Sequence, residues 1–318
     1  MVSPTAAAPR SDPHVRRWIR RELASAPPRA PSLVVTVWGD AIAPHGGAVM
    51  LAGLIALLAP FGINERLVRT SVFRLAREGW LRATPVGRRS LYRLTRDGAR
   101  RFEQAYRRIY AAPVEGWDDT WELVVADGRT AAQRRVLKEE LGWEGFGELA
   151  PGVYARPSQP ASAVPRITAA PGLSGRIVTA RARDDATLGG RTLASAVPEA
   201  WDLAGVAAHY RRFLLRFGGV IDRFRQAGDA ALDPGQSFVV RTLLIHAYRR
   251  VLLRDPRLPA ALLPLDWPGA AAYALCRDFY RLTHRAAERH LVATLQDAGG
   301  TLPPASAAFH RRFGGLAP

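Results

Sequence analysis

With 318 residues, 48% of them hydrophobic, the chain has material for two or three domains and a sizeable core, which excludes disorder throughout. Its net charge of +17 comes mostly from arginine, whose planar fork holds phosphates and base edges bidentately, so the expected partner is polyanionic: nucleic acid or an anionic membrane surface. The single cysteine, Cys276, excludes an internal disulfide framework and a cysteine-based zinc cluster, and suits a reducing, cytoplasmic compartment.

Residues 1–30 are rich in Ala, Pro and Arg and hold no apolar run long enough for a signal peptide. They read as a disordered arm, on which Arg16, Arg17, Arg20 and Arg21 are minor DNA-contact candidates. A DNA-binding domain is expected over 31–112. Ser32 caps a first helix, 33–41; Ala43-Pro44-His45-Gly46-Gly47 turns the chain; a second helix, 48–58, is apolar on most sides. Residues 41–64 carry no Asp, Glu, Lys or Arg, but Pro44 and the glycine pair interrupt them. About a dozen apolar residues remain where a membrane span needs about 20, so a buried helix is expected and no membrane partner.

The third helix organises the domain. Asn64 is its N-cap, Glu65 favours the positive end of the helix dipole, and Val68, Val72, Leu75 and Ala76 share one face before Gly79 stops it. Arg66, Arg69, Thr70 and Arg74 occupy the other face, where an α-helix in the major groove presents Arg to guanine and Thr to thymine methyls or phosphates. Phe73 suits packing and base contact equally. Residues 80–85 and 90–95 then alternate like a hairpin whose tip carries Arg88 and Arg89, placed to reach phosphates or a minor groove. Helix followed by hairpin is the winged helix-turn-helix order. Residues 60–110 hold 13 Arg and no Lys against four carboxylates, a net of +9. A solvated Arg-rich surface is the plain alternative, but helix, hairpin and charge coincide here. The DNA-binding set is therefore Asn64, Arg66, Arg69, Thr70, Arg74, Arg88 and Arg89. A basic helix, 97–109, leads out of the domain.

From Trp117 the periodicity changes. Thr120–Ala126 reads as a strand, 129–141 as a helix ending at Gly142, and 147–156 and 175–182 as further strands. Strand, helix, strand and another strand over 113–196 predict a small ferredoxin-like central domain. Residues 197–318 are predicted to be an α-helical domain, with helices at 203–217 capped by Asp202, at 238–253 and at Gly269–Asp297, separated by proline-rich turns. The fold class expected is α+β, mostly helical.

Three stretches resemble the PaaX family of phenylacetate-pathway transcriptional repressors. They are Phe61-Gly62-Ile63-Asn64-Glu65-Arg66 continuing to Leu75; Leu141-Gly142-Trp143-Glu144-Gly145-Phe146-Gly147 with Leu149-Ala150-Pro151-Gly152; and Arg241-Thr242-Leu243-Leu244-Ile245-His246 continuing to Pro256. The likeness spans about residues 31 to 298. It implies a winged-helix domain, a ferredoxin-like domain, a helical domain, a homodimer on double-stranded operator DNA, and release by an aryl-acetyl-coenzyme A such as phenylacetyl-CoA. One departure is Ala247, where the family usually shows Glu. For such an effector the candidates are His246, Tyr248, Arg249, Arg250 and Arg254, since the phosphates want Arg and the acyl group a dry slot. The plain alternative is that these arginines decorate a helix end and His246 packs.

Enzymatic readings find little support. The ferredoxin-like domain resembles the small CRISPR-adaptation nuclease, and Asp127 stands after the first strand where a metal ligand could sit. A loop Asp after a strand is usually turn chemistry, and no second acidic ligand is apparent. His284 and His290 are six apart on a helix and point in different directions. No phosphate loop or nucleophile elbow is visible, so no catalytic residue, metal or cofactor is expected. A metal-dependent nuclease is the alternative function.

Overall fold

The computed structural model describes residues 11–112, 116–126, 130–159, 164–165, 177–185, 190–228, 231–297 and 301–316. The protein is mostly helical with two small antiparallel sheets, and it divides into two compact units. The first contains residues 1–112, 213–249 and 271–318; the second contains 113–212 and 250–270. The helical stretch after residue 197 therefore contributes to both units.

The first unit opens with a helix where an arm was expected: α1, Pro13–Ser25. Asp12 caps it, accepting the His14 N–H at 2.7 Å, and Pro13 takes the first turn, where a missing N–H costs nothing. Val15 and Glu22 are buried, the Trp18 ring lies 5.5 Å from that of Phe217, and Arg216 pairs with Glu22. Partners some 200 residues away make this helix, which is why its Arg- and Pro-rich composition misled.

Next comes α2, Ala30–Val37, which runs into a wider helical turn at Trp38–Ile42. The helix begins before Ser32, so Ser32 is no cap; its hydroxyl accepts from Arg249 at 3.0 Å. Residues 48–58 are not all helix. Ala48–Met50 form strand β1, and α3 is Leu51–Leu58. Leu33, Val34 and Val37 of α2, Leu54, Leu57 and Leu58 of α3, and Val68, Val72 and Leu75 of α4 (Glu65–Arg77) are all buried, and α4 packs on α2 and α3. Strands β2 (Leu81–Val86) and β3 (Arg89–Leu94) form an antiparallel hairpin, β1 joins on the far side of β3, and α5, Arg96–Tyr110, follows.

The rest of this unit is the C-terminal part of α7 (Leu203–Ala227), most of α8 (Pro234–Leu252), most of α9 (Gly269–Asp297) and the tail beyond. Every residue from 236 to 246 of α8 is buried, so the helix is surrounded rather than faced on one side. Its one buried charge is paired. Arg241 lies between Asp40 and Glu288, and Asp40 also receives Arg312, Tyr110 and Tyr280.

In the second unit the sheet runs in the order β5-β6-β4-β7, all neighbours antiparallel, with β4 Thr120–Ala126, β5 Gly147–Ala150, β6 Val153–Pro157 and β7 Ile177–Arg183. Residues 147–156, expected as one strand, turn at Gly152, whose φ is +80°. Helix α6, Ala131–Trp143, covers Val124, Tyr154 and Phe146 with Leu137 and Leu141. The glycines of the 141–147 stretch are architectural: Gly145 has φ +89°, and a Cβ on Gly147 would meet the Trp201 ring at 2.5 Å.

Candidate nucleic-acid interface

The outward face of α4 follows from what its inward face buries. Asn64 is extended, and its side-chain oxygen accepts the Leu67 N–H at 3.0 Å. With Val68, Ser71, Val72 and Leu75 buried, Arg66, Arg69, Thr70, Phe73 and Arg74 recur at three- and four-residue steps on the solvent side, and all are exposed. Phe73, left open by the sequence, is 63% exposed, an unusual place for a phenylalanine that only packs. The Trp80 N–H reaches back to the Leu75 carbonyl at 2.9 Å and Gly79 turns left-handed, which closes the helix.

Arg69 pairs with Glu65 and Arg74 with Glu78, one turn away in each case, and the Thr70 hydroxyl donates to the Arg66 carbonyl at 2.9 Å. Such exposed pairs are weak, so both arginines can exchange a carboxylate for a phosphate. Among the described residues, Arg66, Arg88 and Arg89 have no ion-pair partner. Arg88 and Arg89 stand at the hairpin turn, where Gly87 has φ +58°.

The hairpin is fixed to α4. Thr95 donates its hydroxyl to the Gly79 carbonyl at 2.6 Å and accepts the Gly98 N–H at 2.9 Å, and its own N–H bonds Trp80 O at 3.0 Å. A Cβ on Gly98 would lie 2.2 Å from that Trp80 oxygen. Two residues escaped the sequence reading: Arg82 and Arg93 are directly opposed across β2 and β3, both exposed. Counting four residues back from each side of the turn would have found them. Like charges directly opposite destabilise a hairpin, so this pair is unfavourable until an anion lies across it.

The effector candidates divide between the two units. His246 is buried, with its ring nitrogen 2.9 Å from the Thr36 hydroxyl; Tyr248 is buried against Phe213; Arg249 reaches Ser32. These three belong to the first unit. Arg250 and Arg254 are exposed and belong to the second, where Arg254 meets His209. Ala247 is half-buried. Arg249 does line a cavity of about 70 Å³ walled by Trp80, Phe102, Tyr106, Tyr110 and Ile245, in which the Trp80 and Phe102 rings meet edge-on at 5.7 Å.

Asp127 lies outside the described residues. No group of three or more His, Cys, Asp or Glu that could hold a metal ion occurs among the described residues. Cys276 is buried, and burial pushes its thiol up, away from the reactive thiolate. No helix among the described residues is long and apolar enough to cross a membrane.

Fold and site together define a mostly helical protein with an outward cationic helix beside a cationic hairpin. Three family models match the chain in succession: PaaX-like protein over residues 29–98, PaaX protein central Cas2-like domain over 114–195, and PaaX-like protein C-terminal domain over 201–293. The transcriptional repressor PaaX of Escherichia coli (strain K12) is 36% identical over 299 residues, 94% of each chain. Among solved structures, the uncharacterized protein Rv0674 from Mycobacterium tuberculosis matches with a TM-score of 0.55 at 29% identity, over 83% of this chain and 98% of that one. The chain belongs to the PaaX family.

Proposed function

We propose that this protein is a cytoplasmic, DNA-binding transcriptional repressor of an aromatic, phenylacetate-type catabolic operon, acting as a homodimer on a palindromic operator and released by an aryl-acetyl-CoA. The observation that carries the reading is the exposed row Arg66, Arg69, Thr70, Phe73 and Arg74 beside the Arg-lined hairpin. In this reading α2, α3, α4 and the hairpin are a winged helix-turn-helix, with α4 in the major groove and Arg88 and Arg89 on the flanking backbone. The 36%-identical relative carries the name of a repressor, which supports it. The order β7-β4-β6-β5 supports a ferredoxin-like second unit, since a strand-helix-strand-strand chain leaves its third strand between the first two.

For the effector, the aromatic cavity beside Arg249 offers a dry slot next to a cation, the pairing an aryl thioester with phosphates requires. An acyl group there would press on Trp80, the residue joining α4 to the hairpin, and so alter the geometry offered to DNA. The test is an anisotropy titration against the protein's own promoter region and against random duplex, then with a panel of acyl-CoA esters. Equal affinity for both duplexes removes the repressor reading. Specific binding insensitive to every ester leaves DNA binding standing and removes the effector.

A further inference from the structure

A second hollow of the first unit, about 730 Å³, lies between α9 and the tail segment 302–310. One wall is a turn-spaced row on α9: Arg285 and Arg289, four apart and both exposed, with His284 beside them. Neither arginine has an ion-pair partner among the described residues, and His310 adds a further basic group. The opposite wall is apolar, made by Leu302, Pro303, Pro304 and Phe309. Glu288 is the carboxylate among the described lining residues, and it is already engaged: His45 bonds it at 2.8 Å and Arg241 at 3.4 Å. The hollow thus presents Arg285 and Arg289 facing an apolar surface, the chemistry that holds an anionic head on an apolar body.

The floor of this hollow leads to the hairpin. His45 lies in the turn before β1 and holds the tail, its other ring nitrogen 2.7 Å from the Pro303 carbonyl, while the Ser306 N–H bonds Pro44 O at 2.9 Å. Two residues on, the Gly47 carbonyl accepts the Leu94 N–H at 3.2 Å, and Ala48 pairs with Arg93 of β3. A ligand that moves the 302–306 segment therefore pulls on the turn to which the hairpin is laced.

We propose that this hollow binds an organic anion, its phosphate or carboxylate held by Arg285 and Arg289 and its apolar part against the tail, and that occupancy alters DNA affinity through His45. The regulatory half rests on the DNA-binding reading above; the binding half does not.

Calorimetry on the full chain tests it with adenosine 5′-diphosphate as the phosphate arm and benzoate as the carboxylate arm. At least one binds, and R285E/R289E weakens that binding about tenfold or more, a change of roughly 1.4 kcal/mol. R20E/R21E on α1 leaves it unchanged. His45→Gln keeps the ligand but loses the ligand's effect on operator affinity. Failure of both probes to bind wild type at millimolar concentration, or equal binding by R285E/R289E, overturns the site. Equal ligand sensitivity of operator binding in His45→Gln overturns the coupling. A wild type without operator preference instead sinks the repressor reading and leaves the calorimetric result standing.

Discussion

Phe73 is the residue that most changes the meaning of its surroundings. On a merely solvated helix face an aromatic ring among arginines would be a cost, whereas on a duplex it can meet thymine methyls while Arg66 and Arg74 take bases or phosphates. Arg66→Ala should weaken operator binding by about tenfold, the effect of losing one good base contact. Phe73→Ala should lower affinity for the operator more than for random duplex; equal loss on both would show that the ring contributes no sequence reading. Inside the protein, Asp40→Ala should destabilise folding by about 3–5 kcal/mol, measured by urea denaturation, because it leaves Arg312 buried beside no carboxylate and Arg241 with Glu288 alone. His45 carries a pH signature. Burial pulls its pKa down, but the Glu288 carboxylate and the Pro303 carbonyl outweigh that, and the net shift is upward despite Arg241 nearby. The stability it supplies is therefore fully present below the unfolded value, about 6.5, and is lost as pH rises through the folded value. Urea midpoints of wild type and His45→Gln should converge above that range and separate below it. Glu288, whose pKa is lowered, contributes in the opposite sense, losing its share as pH falls through its folded value.

At the scale of elements, the hairpin is built against its own electrostatics. Arg82→Gln with Arg93→Gln should raise thermal stability while weakening DNA binding, because the opposed cations are relieved only by a polyanion. A lower melting temperature with unchanged DNA affinity would mean that the pair is structural. The link between α4 and hairpin depends on a backbone contact no side chain can enter, so Gly98→Ala should loosen the hairpin base and cost both stability and operator affinity. Helix α4 was legible in the sequence down to its cap and stop, because Asn64, Val68, Val72, Leu75 and Gly79 are local signals read at a fixed helical period. Helix α8 was legible as a helix but not in its surroundings. Its apolar residues suggested one buried face, whereas every residue from 236 to 246 is buried, and Arg241 and His246 meet partners inside the first unit.

For the whole molecule, charge should dominate association. A dimer neutralising about eight phosphates gives a log–log dependence of affinity on salt with slope near −7. A slope shallower than about −3 would mean that far fewer cations meet the duplex than the two helices and two hairpins of the proposed homodimer would present. The same measurement on the Arg88→Ala/Arg89→Ala variant should give a smaller slope with little change in base preference, as the proposed placement of these two arginines on the DNA backbone requires.

What the sequence alone determined is whatever depends on residues within a few positions of one another: the capped helix Glu65–Arg77, the hairpin with its basic tip, the strand at Thr120–Ala126, the helix at Gly269–Asp297, and through three spaced stretches the family. Tertiary structure decided what depends on distant partners. It made a helix of the expected arm because Phe217, Arg216 and Gln236 receive it, and buried His246 against Thr36. It also placed Arg285 and Arg289 opposite a proline-rich tail. Local periodicity fixes which way a side chain points, but only packing fixes what it meets.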